Sequence, residues 1–504
     1  MKARLISAWK HFLGNFAHKD KEHEKKTEFR IRAAYIGISA VLLIEMWMLY
    51  YNSGSTTGLN PKADQYRQAA IAEADLNTIA AGDIFDRKGV KIVSNEEPGE
   101  DSVYADDYAY LQILGYTGPT KLVTGLEVSD TQRDYRFMQY YRDNLYKTTD
   151  VDGTKGQSFT LTLDHDLQVK VKELLLNEME LEDSGSAVVL NAKTGEILAM
   201  VSFPTFNAND LDTTIHTLDT SEKEEELRYP ISYKGQRVPG SIFKIVTAVS
   251  LLDNGLENFT AQDKSFIVDG SRIVNVYPDP GDTIGYRDAL IRSSNVFFAR
   301  AALELGSDKL TETAKKFKVG EYLELDFGSV NSNWDLDDAA PANLAHTGFG
   351  QGKTLFSTMT AAMMMQAIAN DGTMMQPYLV RQIIDADGKV LQEGTEKVLS
   401  EVTSQNTADK ITEALVATVD DEAPDIEGGS DVYETYPIAG KTGTGENGDE
   451  EETDNAWFVS FAPADNPRYV VVVNQIKTHK WGYQMMDTAA EIYRYLFEEY
   501  DEND

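Results

Sequence analysis

Ser241 and Lys244 stand three residues apart, a spacing that suits acyl-transfer chemistry. One helical turn separates such positions, so the lysine amine is able to reach the serine hydroxyl. A serine hydroxyl is a weak nucleophile at neutral pH unless a neighbouring base takes its proton. A lysine that is buried beside a second cation is neutral enough to be that base. The pair therefore predicts a serine nucleophile that works without a histidine.

The residues around Ser241 predict a buried helix with the serine at its start. Pro239 and the glycine after it end the preceding segment, apolar residues follow Lys244, and Gly255 is typical of the residue just beyond a helix. The hydroxyl then lies at the positive end of the helix dipole, which stabilises a developing oxyanion. The same spacing of serine and lysine at residues 7–10 lies in a basic tail, where nothing predicts a pocket.

A second polar motif, Ser293-Ser294-Asn295, lies between two segments with helical patterns. Its hydroxyl and amide groups are therefore expected on a loop that faces a cleft. In that position they would handle the proton of a leaving group. The Ser-x-Asn pattern also occurs at residues 329–331 and 404–406, so the pattern alone does not identify the site.

A third motif, Lys441-Thr442-Gly443-Thr444, follows an apolar segment and has the pattern of a strand. Strand alternation places Lys441 and Gly443 on one face and the two threonines on the other. Lys441 is a cation that would hold an anionic substrate, and Gly443 permits close approach of a substrate backbone. The same Lys-Thr-Gly triplet at residues 193–195 is interpreted as the turn of a β-hairpin.

Two glycine-rich segments approach nucleotide-binding motifs without satisfying them. Residues 443–448 match the glycine spacing of a dinucleotide-binding loop, but no helix follows, and the acidic residues 449–452 would repel a pyrophosphate. Residues 348–354 are one residue short of the P-loop spacing. The sequence therefore does not predict a nucleotide site.

The composition excludes several classes of function. The chain of 504 residues has room for two or three domains and contains no cysteine, so it has neither disulfides nor a thiolate nucleophile. Its seven histidines lack the spacing of metal ligands, so we expect no metal centre. The formal net charge of −35 argues against nucleic acid as a partner, because a phosphate backbone requires a basic surface.

The uneven charge along the chain predicts one membrane-spanning helix. Residues 1–32 are rich in lysine and arginine, whereas the chain as a whole is strongly acidic. Residues 33–51 are mostly apolar, and Trp47 near their end suits a membrane interface. The basic tail predicts a cytoplasmic N-terminus, with everything after residue 51 outside the plasma membrane. The one charge in the span, Glu45, either reaches the lipid headgroups or contacts another membrane protein.

Beyond the span, the sequence predicts two regions. Residues 52–158 mix short strand and helix patterns without a catalytic motif, whereas residues 159–504 have strand patterns near both ends and long helical segments between them. This order predicts an α+β fold whose antiparallel sheet is assembled from both ends of the region. Met359 and the methionines at 363–365 have helical spacing and are expected in the core. The acidic residues 446–454 are expected to form either a solvated hairpin loop or a patch that attracts a cationic acceptor amine.

Taken in chain order, the three polar motifs make the constellation of penicillin-binding proteins and serine β-lactamases. The chain resembles the class B penicillin-binding proteins, which are monofunctional peptidoglycan D,D-transpeptidases, and the resemblance runs from about residue 81 to residue 473. Ala81 departs from the family, in which an arginine is common at that position. Besides the three motifs, the segments that carry the resemblance are AGDIFDRKG, which begins at Ala81, SAVVLNAKTGEILAMVSFPTFNAND, HTGFGQG, AGKTGTGE and AWFVSFAPADNPRYVVVV.

The resemblance implies a domain organisation and a set of partners. It implies a cytoplasmic tail at 1–32, a transmembrane signal-anchor helix at 33–51, an elongated and dimerisation-like pedestal domain at 52–158, and a transpeptidase domain of the serine β-lactamase-like fold at 159–504. Stem peptides of peptidoglycan would be the substrates, β-lactams would be covalent inhibitors, and a membrane-embedded glycan polymerase of the SEDS type would be a partner. No metal or organic cofactor is implied.

The resemblance also implies a role for each motif. Ser241 would attack the carbonyl between two terminal D-alanines, with neutral Lys244 as the general base, and Ser293 would pass a proton to the departing D-alanine. Asn295 would hold a peptide amide, and the charge of Lys441 would lower the pKa of Lys244. The residues assigned to catalysis are Ser241, Lys244, Ser293, Asn295 and Lys441, and those assigned to substrate binding are Thr442, Gly443 and Thr444.

Three other functions are compatible with the same motifs. A β-lactam hydrolase or sensor would need a feature that removes the acyl group quickly, and none is recognisable in the sequence. A scaffold of the division or elongation machinery would not need Ser241. A D,D-carboxypeptidase would differ only in that water rather than an amine takes the acyl group.

Overall fold

The computed structural model describes residues 80–97, 102–115, 155–177, 184–205, 207–210, 230–277, 280–336, 340–426, 428–447 and 453–500, together with Met179. Among these residues, no helix has the length and apolar character needed to cross a membrane. The predicted transmembrane segment at 33–51, with Glu45, lies outside the described residues, as does the centre of the acidic loop at 448–452.

The described strands are β1 (Ile84–Phe85), β2 (Lys91–Ser94), β3 (Val103–Tyr104), β4 (Ser158–Leu161), β5 (Ser184–Asn191), β6 (Ile197–Phe203), β7 (Ala261–Gln262), β8 (Phe266–Val268), β9 (Ser271–Ile273), β10 (Thr283–Ile284), β11 (Leu323–Glu324), β12 (Ser329–Val330), β13 (Thr373–Met375), β14 (Val380–Ile384), β15 (Val390–Glu393), β16 (Val398–Glu401), β17 (Ala439–Glu446), β18 (Asp454–Ala462) and β19 (Tyr469–Thr478).

The described α-helices are α1 (Leu111–Leu114), α2 (His165–Asn177), α3 (Ile231–Lys234), α4 (Lys244–Asp253), α5 (Tyr286–Ile291), α6 (Asn295–Leu305), α7 (Ser307–Lys316), α8 (Pro341–Thr347), α9 (Thr358–Ala369), α10 (Gln405–Glu422), α11 (Ser430–Thr435) and α12 (Met485–Tyr495). Short 3-10 turns span Gly240–Phe243, Ala423–Asp425 and Gly482–Gln484, and a π-helical turn spans Leu496–Tyr500.

A five-stranded antiparallel sheet forms the centre of the fold, in the order β17, β18, β19, β5, β6. Strands from the beginning and the end of the region pair directly, because Val472 of β19 lies opposite Val188 of β5. Both faces are buried, so alternate valines of each strand enter different cores. The predicted α+β fold, with a sheet built from both ends, is therefore confirmed.

Helices cover the two faces of this sheet. On one face α9 packs against β5, β18 and β19, and its methionines at 359 and 363–365 are fully buried, which confirms that they belong to the core. On the other face α2 and α12 enclose the second core cluster. Helix α4 lies among α6, α7 and α10, so a helix rather than a loop carries Lys244 into the interior.

A second sheet joins strands that are far apart in the sequence, in the order β15, β14, β4, β1, β2, β3. Strands β1 and β4 are parallel, and the other neighbours are antiparallel. A tight turn joins β1 to β2: Asp86 accepts hydrogen bonds from the backbone N–H groups of Lys88 and Val90, and Gly89 adopts a φ of 84°. The sheet contains strands from both sides of residue 158, where the sequence places a domain boundary.

Candidate active site

Ser241 lies in the 3-10 turn Gly240–Phe243, and Lys244 is the first residue of α4. The prediction of one continuous helix from the serine is therefore refined to a tight turn followed by a helix. The buried ring of Phe243 packs against the rings of Trp334 and Phe356, and this packing stabilises the turn. Ser241 itself is partly exposed.

The side-chain amine of Lys244 joins two serines that are 52 positions apart in the chain. Its Nζ lies 2.8 Å from Oγ of Ser241, 3.0 Å from Oγ of Ser293 and 2.6 Å from the carbonyl oxygen of Ser293. A neutral amine has two N–H groups and one lone pair. It can therefore donate to both oxygens of Ser293 and accept the O–H of Ser241, which is the arrangement that a general base requires.

Lys244 is fully buried, and this burial depresses its pKa well below the ordinary value of a lysine. The positive charge of Lys441 acts in the same direction, whereas the negative charges of Glu422 and Asp263 raise the pKa. Loss of water around an ammonium group disfavours its charged form, and a neighbouring cation disfavours it further. The structure thus has both features that keep the amine neutral.

Ser293 adopts a left-handed backbone conformation with a φ of 52°. The backbone N–H of Ser293 donates to the carbonyl of Leu290, and that of Ser294 donates to the carbonyl of Ala289, which is the hydrogen-bond pattern of a Schellman motif at the end of α5. Glycine is the usual residue at this left-handed position, and a residue with a Cβ costs about 1–2 kcal/mol there. The motif leaves the carbonyl and the hydroxyl of Ser293 facing Lys244.

A buried polar cluster supports this loop from behind, and the sequence analysis did not identify it. Asp263 accepts hydrogen bonds from Oγ of Ser294 at 2.6 Å and from the amide of Asn275 at 2.7 Å. Ser294 also caps α6, because its Oγ accepts the N–H of Phe297. The side chain of Asn295 donates to the carbonyl of Val274 at 3.2 Å. The segment with β7 to β10 thus holds the second motif in place.

Lys441 lies on β17, at an edge of the central sheet, and its side chain is fully buried. Its Nζ lies 3.2 Å from Oε1 of Glu422, the last residue of α10. Oγ1 of Thr442 donates to the same Oε1 at 2.9 Å. Glu422 is not part of any of the three sequence motifs, so only the fold brings it to the site.

Glycines allow the turn with Ser241 to lie directly against β17. A Cβ at Gly240 would overlap the carbonyl of Thr444, and a Cβ at Gly443 would lie 2.8 Å from Cγ2 of Ile242. The space beside Gly443 is therefore filled by this chain's own turn, whereas the sequence suggested a substrate backbone. On the other face, Gly482 donates its N–H to Oγ1 of Thr444 at 3.2 Å.

The three predicted motifs are thus brought to one place by three separate elements. Direct hydrogen bonds join Ser241, Lys244 and Ser293. Lys441 acts on Lys244 through its charge. The remaining assigned residues contact neighbours around this centre, and these are Asn295 with Val274, Thr442 with Glu422, Gly443 with Ile242, and Thr444 with Gly482.

Comparison with known proteins gives a family match over most of the chain. Residues 185–498 match the family described as penicillin binding protein transpeptidase domain. Penicillin-binding protein 3 of Bacillus subtilis is 30% identical over 320 residues, which cover 61% of this chain and 46% of that protein. Peptidoglycan D,D-transpeptidase PbpA of Mycolicibacterium smegmatis is 27% identical over 395 residues, which cover 74% of this chain and 78% of that protein. The match therefore spans less than half of the first relative and more than three quarters of the second.

Solved structures share the same fold. The D,D-transpeptidase domain of a peptidoglycan glycosyltransferase from Eggerthella lenta is 25% identical, with a TM-score of 0.70, and the match covers 84% of this chain and 99% of that chain. A penicillin G acyl-enzyme complex of penicillin-binding protein A from Mycobacterium tuberculosis has a TM-score of 0.67 at 22% identity, over 84% of this chain and 99% of that chain. At 22% identity, the similarity to the second structure is evidence for the fold alone.

The position of Lys244 beside Lys441 predicts how the reactivity of Ser241 depends on pH. Only neutral Lys244 is a base, so acylation of Ser241 declines as the pH falls through the pKa of Lys244. In Lys441→Met the neighbouring cation is lost, so the pKa of Lys244 rises and the decline moves to higher pH. The measurement is the pH profile of Ser241 acylation by p-nitrophenyl acetate, a neutral reagent that needs no carboxylate site.

Lys389→Met is the control, because Lys389 is an exposed residue just before β15 of the second sheet, and none of the described pairings of that sheet includes a residue of this site. Its profile should coincide with that of the unaltered protein. A Lys441→Met profile with the same midpoint would contradict the electrostatic role of Lys441.

Proposed function

This chain belongs to the penicillin-binding protein transpeptidase family, and from that premise we propose that it is a peptidoglycan D,D-transpeptidase that works through a serine acyl-enzyme. The main support for the proposal is that the amine of Lys244 contacts both Ser241 and Ser293. The amine is buried, and its surroundings lower its pKa and so favour the neutral form. This geometry supplies a base for the nucleophile and a path for the proton to the leaving group.

The first half of the reaction forms an ester on Ser241. Its Oγ attacks the carbonyl between the last two D-alanines of a stem peptide, and Lys244 takes the hydroxyl proton. The backbone N–H groups of Ser241 and Thr444 stabilise the oxyanion, since the turn and β17 lie in direct contact. Collapse of the tetrahedral intermediate breaks the peptide bond. Lys244 returns a proton to Ser293, which gives its own proton to the nitrogen of the departing D-alanine.

The second half of the reaction transfers the acyl group to an amine. The amine of a second stem peptide attacks the ester carbonyl, its proton passes back through Ser293 and Lys244, and Oγ of Ser241 leaves as the hydroxyl. The product is a peptide cross-link and the serine is restored. The proton transfers between Lys244 and the two serines join groups that lie within 3.0 Å of each other, and no cofactor takes part.

The substrate carboxylate is assigned to the edge of β17. Lys441 supplies a positive charge there, and Thr442 and Thr444 supply hydroxyl donors on the partly exposed face of the strand. Asn295 holds an amide of the substrate chain from the opposite side of the cleft. A β-lactam presents a strained amide and a carboxylate in a similar arrangement, so we propose that penicillins acylate the same serine.

Replacement of the nucleophile gives the direct test. We expect Ser241→Ala to abolish covalent labelling by a fluorescent penicillin, while Ser7→Ala leaves labelling unchanged. The label on the unaltered protein should persist without release of hydrolysed penicillin, because the sequence contains no recognisable feature that would remove the acyl group rapidly. Rapid turnover of penicillin would instead support the alternative of a β-lactam hydrolase. Label retained by Ser241→Ala would refute the assignment of the nucleophile.

We further propose the membrane arrangement that the sequence predicts. Residues 33–51 anchor the chain in the plasma membrane, the basic tail at 1–32 lies in the cytoplasm, and residues 52–158 form a pedestal below the transpeptidase domain. The support is the apolar run and the positive charge in front of it. An extracytoplasmic catalytic domain also agrees with a substrate that is assembled outside the membrane.

A cysteine-free chain allows a clean test of this orientation. In intact protoplasts, we expect a membrane-impermeant maleimide to label Asp387→Cys, whose position is exposed on the second sheet. The matched variant Ser7→Cys, in the basic tail, should be labelled only after lysis. Labelling of Ser7→Cys in intact protoplasts would contradict a cytoplasmic N-terminus.

We also propose a membrane-embedded glycan polymerase of the SEDS type as the partner, because a transpeptidase acts on the glycan strands that such an enzyme makes. We expect the polymerase to co-purify with both the unaltered chain and Ser241→Ala, since binding does not need the nucleophile. Ser241→Ala should nevertheless fail to complement a deletion. Full complementation by this variant would favour the alternative of a non-catalytic scaffold.

A further inference from the structure

The carboxylate of Glu422 lies at the position that we propose for the carboxylate of the substrate. A single oxygen of this residue, Oε1, contacts both Nζ of Lys441 at 3.2 Å and Oγ1 of Thr442 at 2.9 Å. These two groups are the ammonium and one of the hydroxyls that the proposed function assigns to the C-terminal carboxylate of the stem peptide. In the free protein, therefore, an internal carboxylate already occupies them.

The other surroundings of Glu422 do not favour a negative charge. Glu422 is the last residue of α10, follows Asp420 and Asp421, and has no basic residue in the last helical turn. The C-terminus of a helix carries a partial negative charge, so an acid is unfavourable there. Its second oxygen, Oε2, is buried without a hydrogen-bond partner among the residues that the structure describes. Lys441 and Thr442 are thus the contacts that hold this carboxylate.

The position of Glu422 also lets it leave without disturbing the fold. Its side chain is 19% exposed, whereas the side chain of Lys441 is fully buried. Lys441 is therefore enclosed by protein, whereas part of the Glu422 side chain reaches solvent. The long, unbranched side chain of Glu422 at the helix end is able to change rotamer towards water. The buried side chain of Lys441 on β17 has no such freedom.

We propose that Glu422 is a specificity-determining residue that competes with the substrate carboxylate for Lys441 and Thr442. This inference rests on the proposed function. A donor with a C-terminal carboxylate must displace Glu422, because two carboxylates at one ammonium repel each other. A donor without that charge meets no such repulsion. Glu422 thus lowers the reactivity of the site towards carboxylate-bearing donors, including penicillins, and neutralises Lys441 until a donor arrives.

A pair of thioester donors separates this role from a general effect on catalysis. The donors are the N-benzoyl-D-alanyl thioester of mercaptoacetic acid, which ends in a carboxylate, and the methyl ester of the same compound, which does not. Release of the thiol reports kcat/KM for each. In the purified full-length chain, we expect Glu422→Gln to raise the ratio of kcat/KM for the acid to kcat/KM for the methyl ester by on the order of tenfold. An effect of Glu422 on the pKa of Lys244 changes both donors equally and leaves this ratio unaltered.

Asp421→Asn is the matched control. Asp421 is the preceding residue of α10, is exposed, and loses the same charge when it becomes an asparagine. Its ratio of kcat/KM values for acid and methyl ester should equal that of the unaltered protein, because a charge in solvent near the site is screened. Glu422→Ala, which removes the carboxylate together with its hydrogen bonds, should also raise the ratio.

Two outcomes overturn the inference. If Glu422→Gln lowers kcat/KM for the acid alone, Glu422 holds Lys441 in position for the substrate rather than competing with it. If the ratio for the two donors is unchanged in Glu422→Gln, Glu422 acts on Lys244 alone and not on the carboxylate site. Failure of the proposed function gives a different result. The unaltered protein would then release no thiol from either donor, or would release it at a rate that Ser241→Ala does not change.

Discussion

Burial of one lysine amine is the constraint on which this structure depends. Lys244 makes no contact with solvent, and its amine must satisfy its hydrogen-bonding groups with protein atoms. It does so with Ser241 and with two oxygens of Ser293. The low-dielectric surroundings that would make an ammonium costly are the same surroundings that make the amine a base. The catalytic capacity of the site is therefore a consequence of packing, and α4 has to be a core helix for the chemistry to work.

Three elements meet at this amine, and each is fixed by a different physical device. The turn at Gly240–Phe243 is held by close backbone contact with β17, which only glycines permit, and by the stacked ring of Phe243. The loop at Ser293 is held by a Schellman motif and by the buried Asp263 behind it. Strand β17 is held by pairing with β18 along its whole length. Rigid supports of different kinds keep the nucleophile, the proton relay and the cation in register with one another.

Lys244, Lys441 and Glu422 influence one another electrostatically. Lys441 lowers the pKa of Lys244, and Glu422 partly offsets that influence while it pairs with Lys441. The charge of Lys441 thus acts on Lys244 and on Glu422 at the same time. The carboxylate of Glu422, although unfavourably placed at a helix end, satisfies this cation when no substrate is bound. The ammonium of Lys441 therefore has an internal counter-ion at the edge of β17.

The sequence by itself determined the local structure and the chemical groups. It identified the helix after Ser241, the loop at Ser293 and the strand at Lys441, because hydrophobic periodicity and turn residues act over short distances. The order of strand and helix patterns also predicted the sheet built from both ends of the region 159–504. It did not identify Glu422 or Asp263, which resemble ordinary acids of a helix end and a loop. Nor did it show that the space beside Gly443 is filled by the chain's own turn. Those features depend on contacts between residues that lie far apart in the chain, such as the 31 positions between Asp263 and Ser294. Only tertiary packing decides which distant groups share the low-dielectric space where charge and burial change their chemistry.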